Sequence, residues 1–341
     1  MSLEKRIKIS ELPFYEGKSA TLAGFVKEIR KAKHLIFIVL REQSGEVQVF
    51  FSKEEVSFLS LTRESVVKVT GLVQRNSDNG NYELKGESLT TLSLSKPIPI
   101  EIGEEKSDER HRMRYRYIDL RRKSLQESIR FYSTSRHIAS NYLHSKGFLE
   151  ISTPALSFQS REGAHTFSTM PTKHIRQSFT LSQSPQLYKQ LLMIGGFERY
   201  FQFANCFRAE ELREDRQYEF MQLDLEMSFS HRKELFDLIE GLLRQVLSKL
   251  PEHLKGEITF NTLTYWEALE KYGTDKPDTR YPNLIINLTD HLPKELGEVY
   301  CFGLIFRGEF SHPEDILSNI EQGLKYSSVD KEGKIEGSQE E

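Results

Sequence analysis

Cysteine is scarce. The 341 residues hold only Cys206 and Cys301, far apart and without a metal-ligand spacing, which points to a reducing, cytoplasmic compartment. Long apolar runs are missing too. Nothing approaches the roughly 18 consecutive apolar residues of a membrane span, so no membrane association is expected. The opening MSLEKRIKIS is charged where a secretory signal would be apolar. An excess of either charge is also lacking: 47 Lys and Arg stand against 50 Asp and Glu, for a net charge of −3. That balance excludes a global attraction to nucleic acid but leaves room for a local basic stripe. What is present is an ordinary globular composition, 38 % hydrophobic, and a length sufficient for two or more domains.

One basic stripe exists. Residues 110–122 read RHRMRYRYIDLRR, with six arginines. Two readings are open, a salt-bridged hinge between domains and a connector that faces phosphates. Before it, the runs ATLAGFVKEI, LIFIVL, EVQVFF, SVVKVTGLVQ and YELKGESLTTLSL are β-rich and separated by turn residues. Five strands, with a short helical insert over residues 53–61 between the third and fourth, match the order of a small Greek-key barrel of the OB type. The segment KPIPIEIGEEKSDE has the composition of a linker.

After the stripe, Leu125, Ile129, Tyr132, Ala139 and Leu143 recur at helical spacing, and Gly147 stands where a C-terminal cap belongs. A strand FLEIST ends at Pro154. A helix is expected around SPQLYKQLLMIGG, then strands RYFQFANCFRAE and EFMQLDLEMSF, then the helix HRKELFDLIEGLLRQVLSKL. This mixture predicts an α+β part built on an antiparallel sheet, following the N-terminal all-β domain.

EFMQLDLEMSF carries the chemistry. Alternation puts Met221, Leu223, Leu225, Met227 and Phe229 on one face and Phe220, Gln222, Asp224 and Glu226 on the other. The acidic row is either a solvated outer face balanced by basic neighbours or the floor of a polar pocket for an ammonium group. Arg208, at the end of the preceding strand, can present a planar, permanently charged fork to a carboxylate or phosphate.

CFRAEELREDRQYEFMQLDLEMSF resembles the second signature of class II aminoacyl-tRNA synthetases in its bacterial, aspartate-specific form, and GFLEISTPAL resembles the first, with Pro154. SREGAHTF, QSPQLYKQLLMIGGFERYFQ, RYRYIDLRR and YGTDKPDTRYP are similar to further stretches of bacterial aspartyl-tRNA synthetases. GFVKEIR with HLIFIVLREQSGEVQVFF resembles their anticodon-binding barrel. The likeness runs in order from Arg6 to Pro282.

The resemblance implies an OB-type five-stranded anticodon-binding barrel over residues 1–100, a hinge over 101–122, and a partial class II antiparallel-sheet catalytic domain over 123–282. Residues 283–341 would begin an inserted domain or form an irregular tail. It implies that Glu162, Gln186, Lys189, Arg208 and Asp224 bind the substrate L-aspartate, with Lys189 facing its side-chain carboxylate. Arg208 would be the catalytic residue, bridging the aspartate carboxylate and the α-phosphate of ATP. Glu210, Gln217 and Phe220 would lie with the nucleotide, Phe220 stacking on adenine. Arg30, Phe37, Gln48 and Phe50 would stack on and hydrogen-bond the anticodon of tRNA, in keeping with how unpaired bases are read.

Two departures are visible. KAKH after Arg30 replaces the family's aspartate followed by small residues, which touches how the wobble position is read. The family's glycine-rich third signature, with its magnesium ligands and two further arginines, is not found within these residues, so no metal site is expected in this chain and no catalysis by it alone. The family also implies ATP as a substrate, magnesium in the whole enzyme, and a homodimer. Two alternatives are a tRNA-binding module that does not aminoacylate and a ligase for asparagine or lysine.

Overall fold

The computed structural model describes residues 6–52, 61–77, 79–103, 108–157, 165–171, 178–213, 216–280, 284–287, 302–304, 327–329 and 335–337. Glu162, Cys301, residues 53–60 of the expected helical insert and most of residues 283–341 lie outside these. The chain divides into two compact units, Met1–Lys255 and Gly256–Glu341. Among the described residues no helix is long and apolar enough to cross a membrane.

The five expected strands form β1 (Ser19–Lys31), β2 (Leu35–Glu42), β3 (Gly45–Ser52), β4 (Val66–Arg75) and β5 (Tyr82–Ser93), and they close into a barrel in the order β1-β2-β3-β5-β4. Closure follows from alternation. Every second residue, among them Ile36, Ile38 and Leu40 on β2 and Val47, Val49 and Phe51 on β3, is buried inside. The intervening residues face outward. β3 and β5 run parallel and the other pairs antiparallel. A 3₁₀ turn, Ile9–Tyr15, was not legible in the sequence; its Ile9 and Leu12 join the barrel core. Gly86 on β5 is required by packing, since a Cβ there would collide with the Phe51 ring.

The arginine stripe forms two short helices, α1 (Glu109–Arg114) and α2 (Arg116–Asp119). They wrap the fully buried Asp119, whose carboxylate meets Arg112 at 3.0 Å, Arg116 at 2.6 Å and Arg122 at 2.7 Å. Burial raises the Asp119 carboxyl, but hydrogen bonds from Arg112 and Arg116 and the charges of Arg112 and Arg122 outweigh it and hold it below its ordinary value. Ion pairing to Asp119 accounts for Arg112, Arg116 and Arg122 of the stripe.

Helix α3 (Lys123–Ser145) ends at Gly147, whose φ of 80° lets the chain turn where a side chain would be strained. The chain then forms β6 (Leu149–Glu150), the short pair β7 (Leu156–Ser157) and β8 (Thr180–Leu181), α4 (Gln186–Ile194), β9 (Arg199–Phe207), β10 (Glu219–Met227) and α5 (Arg232–Leu247). α3 and α5 cover one face of the sheet β10-β9-β6, with Tyr142, Leu143, Phe148, Phe201, Leu238 and Leu242 at the centre of that core.

The expected antiparallel pairing holds for β9 and β10, and the short β6 adds to it in parallel with β9. Two finer expectations need correction. FLEIST contributes only two residues to the sheet. Beyond Ile151, the N–H and hydroxyl of Thr153 donate to the Gln202 side chain at 3.1 and 2.9 Å, and Pro154 has no N–H to offer the ladder. Phe229 does not share the buried face of β10. It lies past the strand end with φ of 55° and is 93 % exposed.

In the second unit, α6 (Tyr265–Tyr272) begins with a capping box in which Thr264 and Glu267 satisfy one another's backbone N–H groups. β11 (Ile285–Asn287) pairs with β12 (Phe302–Leu304), and β13 (Ser327–Val329) with β14 (Ile335–Gly337).

Candidate functional site

On the barrel's outer face, Arg30, Phe37 and Phe50 occupy one register row across β1, β2 and β3. The Phe37 and Phe50 rings lie 6.3 Å apart, tilted by 43°. Both are half-buried, so neither belongs to the core that Val49 and Phe51 fill from the opposite face. Arg30 is exposed and pairs loosely with Glu28 at 3.2 Å, leaving its guanidinium accessible.

Gln48 shares the outward face of β3 with Phe50. Its amide donates to Glu83 Oε2 at 3.2 Å. Glu83 also accepts from Gln74 at 3.0 Å and Asn76 at 3.0 Å. Three amides on one buried carboxylate fix the orientation of Gln48 and fill a polar shelf beside the aromatic pair. The shelf borders a cleft of about 460 Å³ lined by Ser10, Pro13, Gln48, Asn79, Tyr82 and Glu83. Glu83, Gln74 and Asn76 were not foreseen; the β3–β5 pairing that brings Glu83 beside Gln48 joins residues 35 apart in the chain.

The second cluster lies on the sheet face away from α3 and α5. There β10 presents Phe220, Gln222, Asp224 and Glu226 opposite Cys206, Ala204, Gln202 and Tyr200 of β9. Lys189 on α4 reaches Asp224 Oδ1 at 2.9 Å and Glu226 Oε2 at 3.3 Å. The lysine side chain is 12 % exposed and that of Asp224 3 %. Burial lowers the lysine pKa, but the hydrogen bonds and charges of Asp224 and Glu226 outweigh it and raise the group above its ordinary value. The cation is therefore held charged. Asp224 Oδ2 is buried and has no hydrogen-bond partner among the described residues, a costly arrangement that a donor entering the pocket would relieve.

Tyr200 donates its hydroxyl to Gln202 Oε1 at 2.8 Å, and burial together with the nearby Asp224 carboxylate pushes the phenol pKa up. Tyr200 and Gln202 are site residues that were missed, although the alternation of RYFQFANCF places them opposite Phe201 and Phe203. Gln186 opens α4 one turn before Lys189 and is exposed. Arg208 lies over the Phe220 ring, 5.1 Å from its centroid, and its backbone N–H donates to Tyr218 O at 2.9 Å. Glu210 pairs with Arg216 at 3.2 Å, and Gln217 is exposed.

The structure thus brings together Lys189 of α4 with Asp224 and Glu226 of β10 as one group, and Arg208, just past β9, with Phe220 of β10 as another. Chemically, the first offers one cation and an excess carboxylate, which suits a zwitterion with a further negative group. The second offers a permanent cation on an aromatic platform.

Residues 20–92 match the OB-fold nucleic acid binding domain described as tRNA_anti-codon, and residues 108–319 match the tRNA synthetases class II (D, K and N). The aspartate–tRNA ligase of Exiguobacterium sibiricum is 39 % identical over 307 residues, covering 86 % of this chain and 52 % of that protein. That of Streptococcus agalactiae is 41 % identical, covering 80 % and 49 %. The aspartate–tRNA(Asp/Asn) ligase of Hydrogenobaculum sp. is 39 % identical, covering 80 % and 48 %. The chain spans about half the length of the curated relatives it matches. Among solved structures, asparaginyl-tRNA synthetase from Pyrococcus horikoshii complexed with asparaginyl-adenylate superposes with a TM-score of 0.66 at 27 % identity, covering 72 % of this chain and 58 % of that one. Asparaginyl-tRNA synthetase from Entamoeba histolytica in complex with asparaginyl-adenylate gives 0.60 at 26 %, covering 68 % and 55 %.

Proposed function

We propose that this chain, which belongs to the class II tRNA synthetases of the D, K and N group, supplies the tRNA-reading and amino-acid-binding parts of an aspartate–tRNA ligase. The observation that carries the choice of aspartate is Lys189, a buried cation held by Asp224 and Glu226 on the pocket floor. A substrate carboxylate gains a charged partner there, whereas the neutral amide of asparagine gains less.

In this reading Lys189 takes the side-chain carboxylate of L-aspartate, and Asp224, with Glu162 and Gln186, takes its ammonium group. Arg208 bridges the α-carboxylate and the α-phosphate of ATP. Phe220 stacks on adenine with Glu210 and Gln217 alongside. Carboxylate oxygen attacks the α-phosphorus, pyrophosphate leaves, and the aspartyl group then passes to the terminal adenosine of tRNA. No side-chain nucleophile is needed, so the residues act by positioning and by stabilising charge at the phosphate. Among the described residues no three His, Cys, Asp or Glu side chains gather as a metal site, and the magnesium that the family implies finds no ligand set there.

Residues 1–100 serve as the anticodon domain, 101–122 as a hinge, 123–282 as the aminoacyl part and 283–341 as the start of an inserted domain. The protein works in the cytoplasm as a homodimer.

NMR titration of the wild type and Lys189→Met at millimolar ligand is the test. Aspartate should shift the wild-type resonances at lower concentration than asparagine, and Lys189→Met should erase the preference. Equal responses to the two amino acids would overturn the aspartate assignment. Pyrophosphate exchange by the purified chain would show that these residues suffice for activation.

A further inference from the structure

A groove of about 1340 Å³ separates the barrel from the hinge and α3. It is rich in basic side chains, and each is already engaged. Lys27 meets Glu46, Arg63 meets Glu101, Lys123 meets Glu127, Arg122 meets Asp119, and Arg130 donates to the Gln43 carbonyl. No free cation is left among these to bind an anion. What the groove contains instead is a clamp.

Its centre is Glu64, in the turn before β4. The side chain is 1 % exposed, and Oε2 accepts from Arg41 Nη2 at 2.7 Å and from Arg121 Nη1 at 2.6 Å. Arg41 belongs to the barrel and Arg121 to the hinge. Both guanidinium groups also lie over the ring of Phe25 on β1, Arg121 at 4.3 Å and Arg41 at 5.8 Å. One carboxylate and one ring thus hold two cations that would otherwise repel each other.

The backbone of Glu64 adds a second, independent indication. Its φ is 66°, a conformation that favours glycine and is uncommon for a branched or long side chain. A glycine would relieve that strain but would supply no carboxylate. On the hinge side, Asp119 organises Arg112, Arg116 and Arg122, and Arg122 also donates to the Glu101 carbonyl at 3.3 Å. The hinge is therefore rigid enough for a grip on Arg121 to orient it.

We propose that Glu64 is a positioning residue: a buried barrel carboxylate that clamps the hinge through Arg121 and so sets the angle between the barrel and the aminoacyl part. Its consequence for RNA rests on the proposed function, because a tRNA gripped at its anticodon reaches the aminoacyl pocket only if that angle is held.

The test uses the full chain with click-reactive residues replacing the exposed Ser88 and Lys249, labelled for single-molecule energy transfer. The wild type should show one narrow distance distribution, and Glu64→Gln and Arg121→Met should each broaden it. Arg121→Met leaves the Arg41–Glu64 pair inside the barrel in place and covers the case in which Glu64→Gln fails to fold. Two RNA probes accompany it. An aspartate anticodon hairpin should bind both variants within about twofold of wild type, while full-length tRNA, which needs both parts in register, should bind about tenfold more weakly. Unchanged distance distributions in both variants would overturn the clamp, as would equal losses for hairpin and full-length tRNA. If wild type binds neither RNA, the tRNA reading fails and the distance measurement still decides the clamp.

Discussion

At the scale of single residues, the barrel face and the polar pocket work by opposite means. Phe37 and Phe50 offer half-buried aromatic surface that an unpaired base can cover, whereas Lys189 and Asp224 offer charges already removed from water. Phe50→Ala should weaken hairpin binding by about 1 to 3 kcal/mol, the usual worth of a base stacked on an aromatic side chain. Anisotropy at fixed salt measures it, and an unchanged dissociation constant would remove Phe50 from the interface. The acidic row was readable in sequence because period-2 alternation in EFMQLDLEMSF survives into the fold, with Asp224 and Glu226 sharing a face. The pairing of Lys189 with Asp224 was not, since it spans 35 residues and depends on how α4 settles against β10. Phe229 shows where alternation stops. Its left-handed backbone ends the strand before the pattern does.

At the scale of elements, close packing and ion pairing set different dependences. Gly86→Ala forces a methyl into the space of the Phe51 ring, and overpacking of this kind costs about 1 to 3 kcal/mol. Urea denaturation should show that loss, and a neutral result would mean that Phe51 has room to move. The hinge depends on pH. Because the folded pKa of Asp119 is lowered, its contribution to stability is present above its ordinary value of 3.8 and is lost as pH falls through the lowered folded value. Thermal melting of wild type and Asp119→Asn should therefore differ at neutral pH and converge in acid; a gap that stays constant down through the carboxylate range would contradict the assignment. The barrel strands were legible because their alternation is regular, and the basic stripe was legible as basic. The partner that takes Arg121 was not, because Glu64 lies 57 residues before it in the chain.

For the molecule as a whole, the apolar stripe of α3 divides in two. Ala139 and Leu143 are buried under α5, but Ile129 is 51 % and Tyr132 50 % exposed. This accords with the proposed homodimer, whose interface would cover them. Light scattering at micromolar concentration should report twice the chain mass, and a monomer would count against it. In the proposed function the barrel reads an aspartate anticodon for the aminoacyl part beside it. That assignment is tested most directly by measuring, at one salt concentration, the dissociation constants of two anticodon hairpins, one with the aspartate anticodon and one differing only in its central base. The aspartate hairpin should bind at least about tenfold more tightly, the discrimination that one good base contact supplies. Equal binding of the two would contradict it.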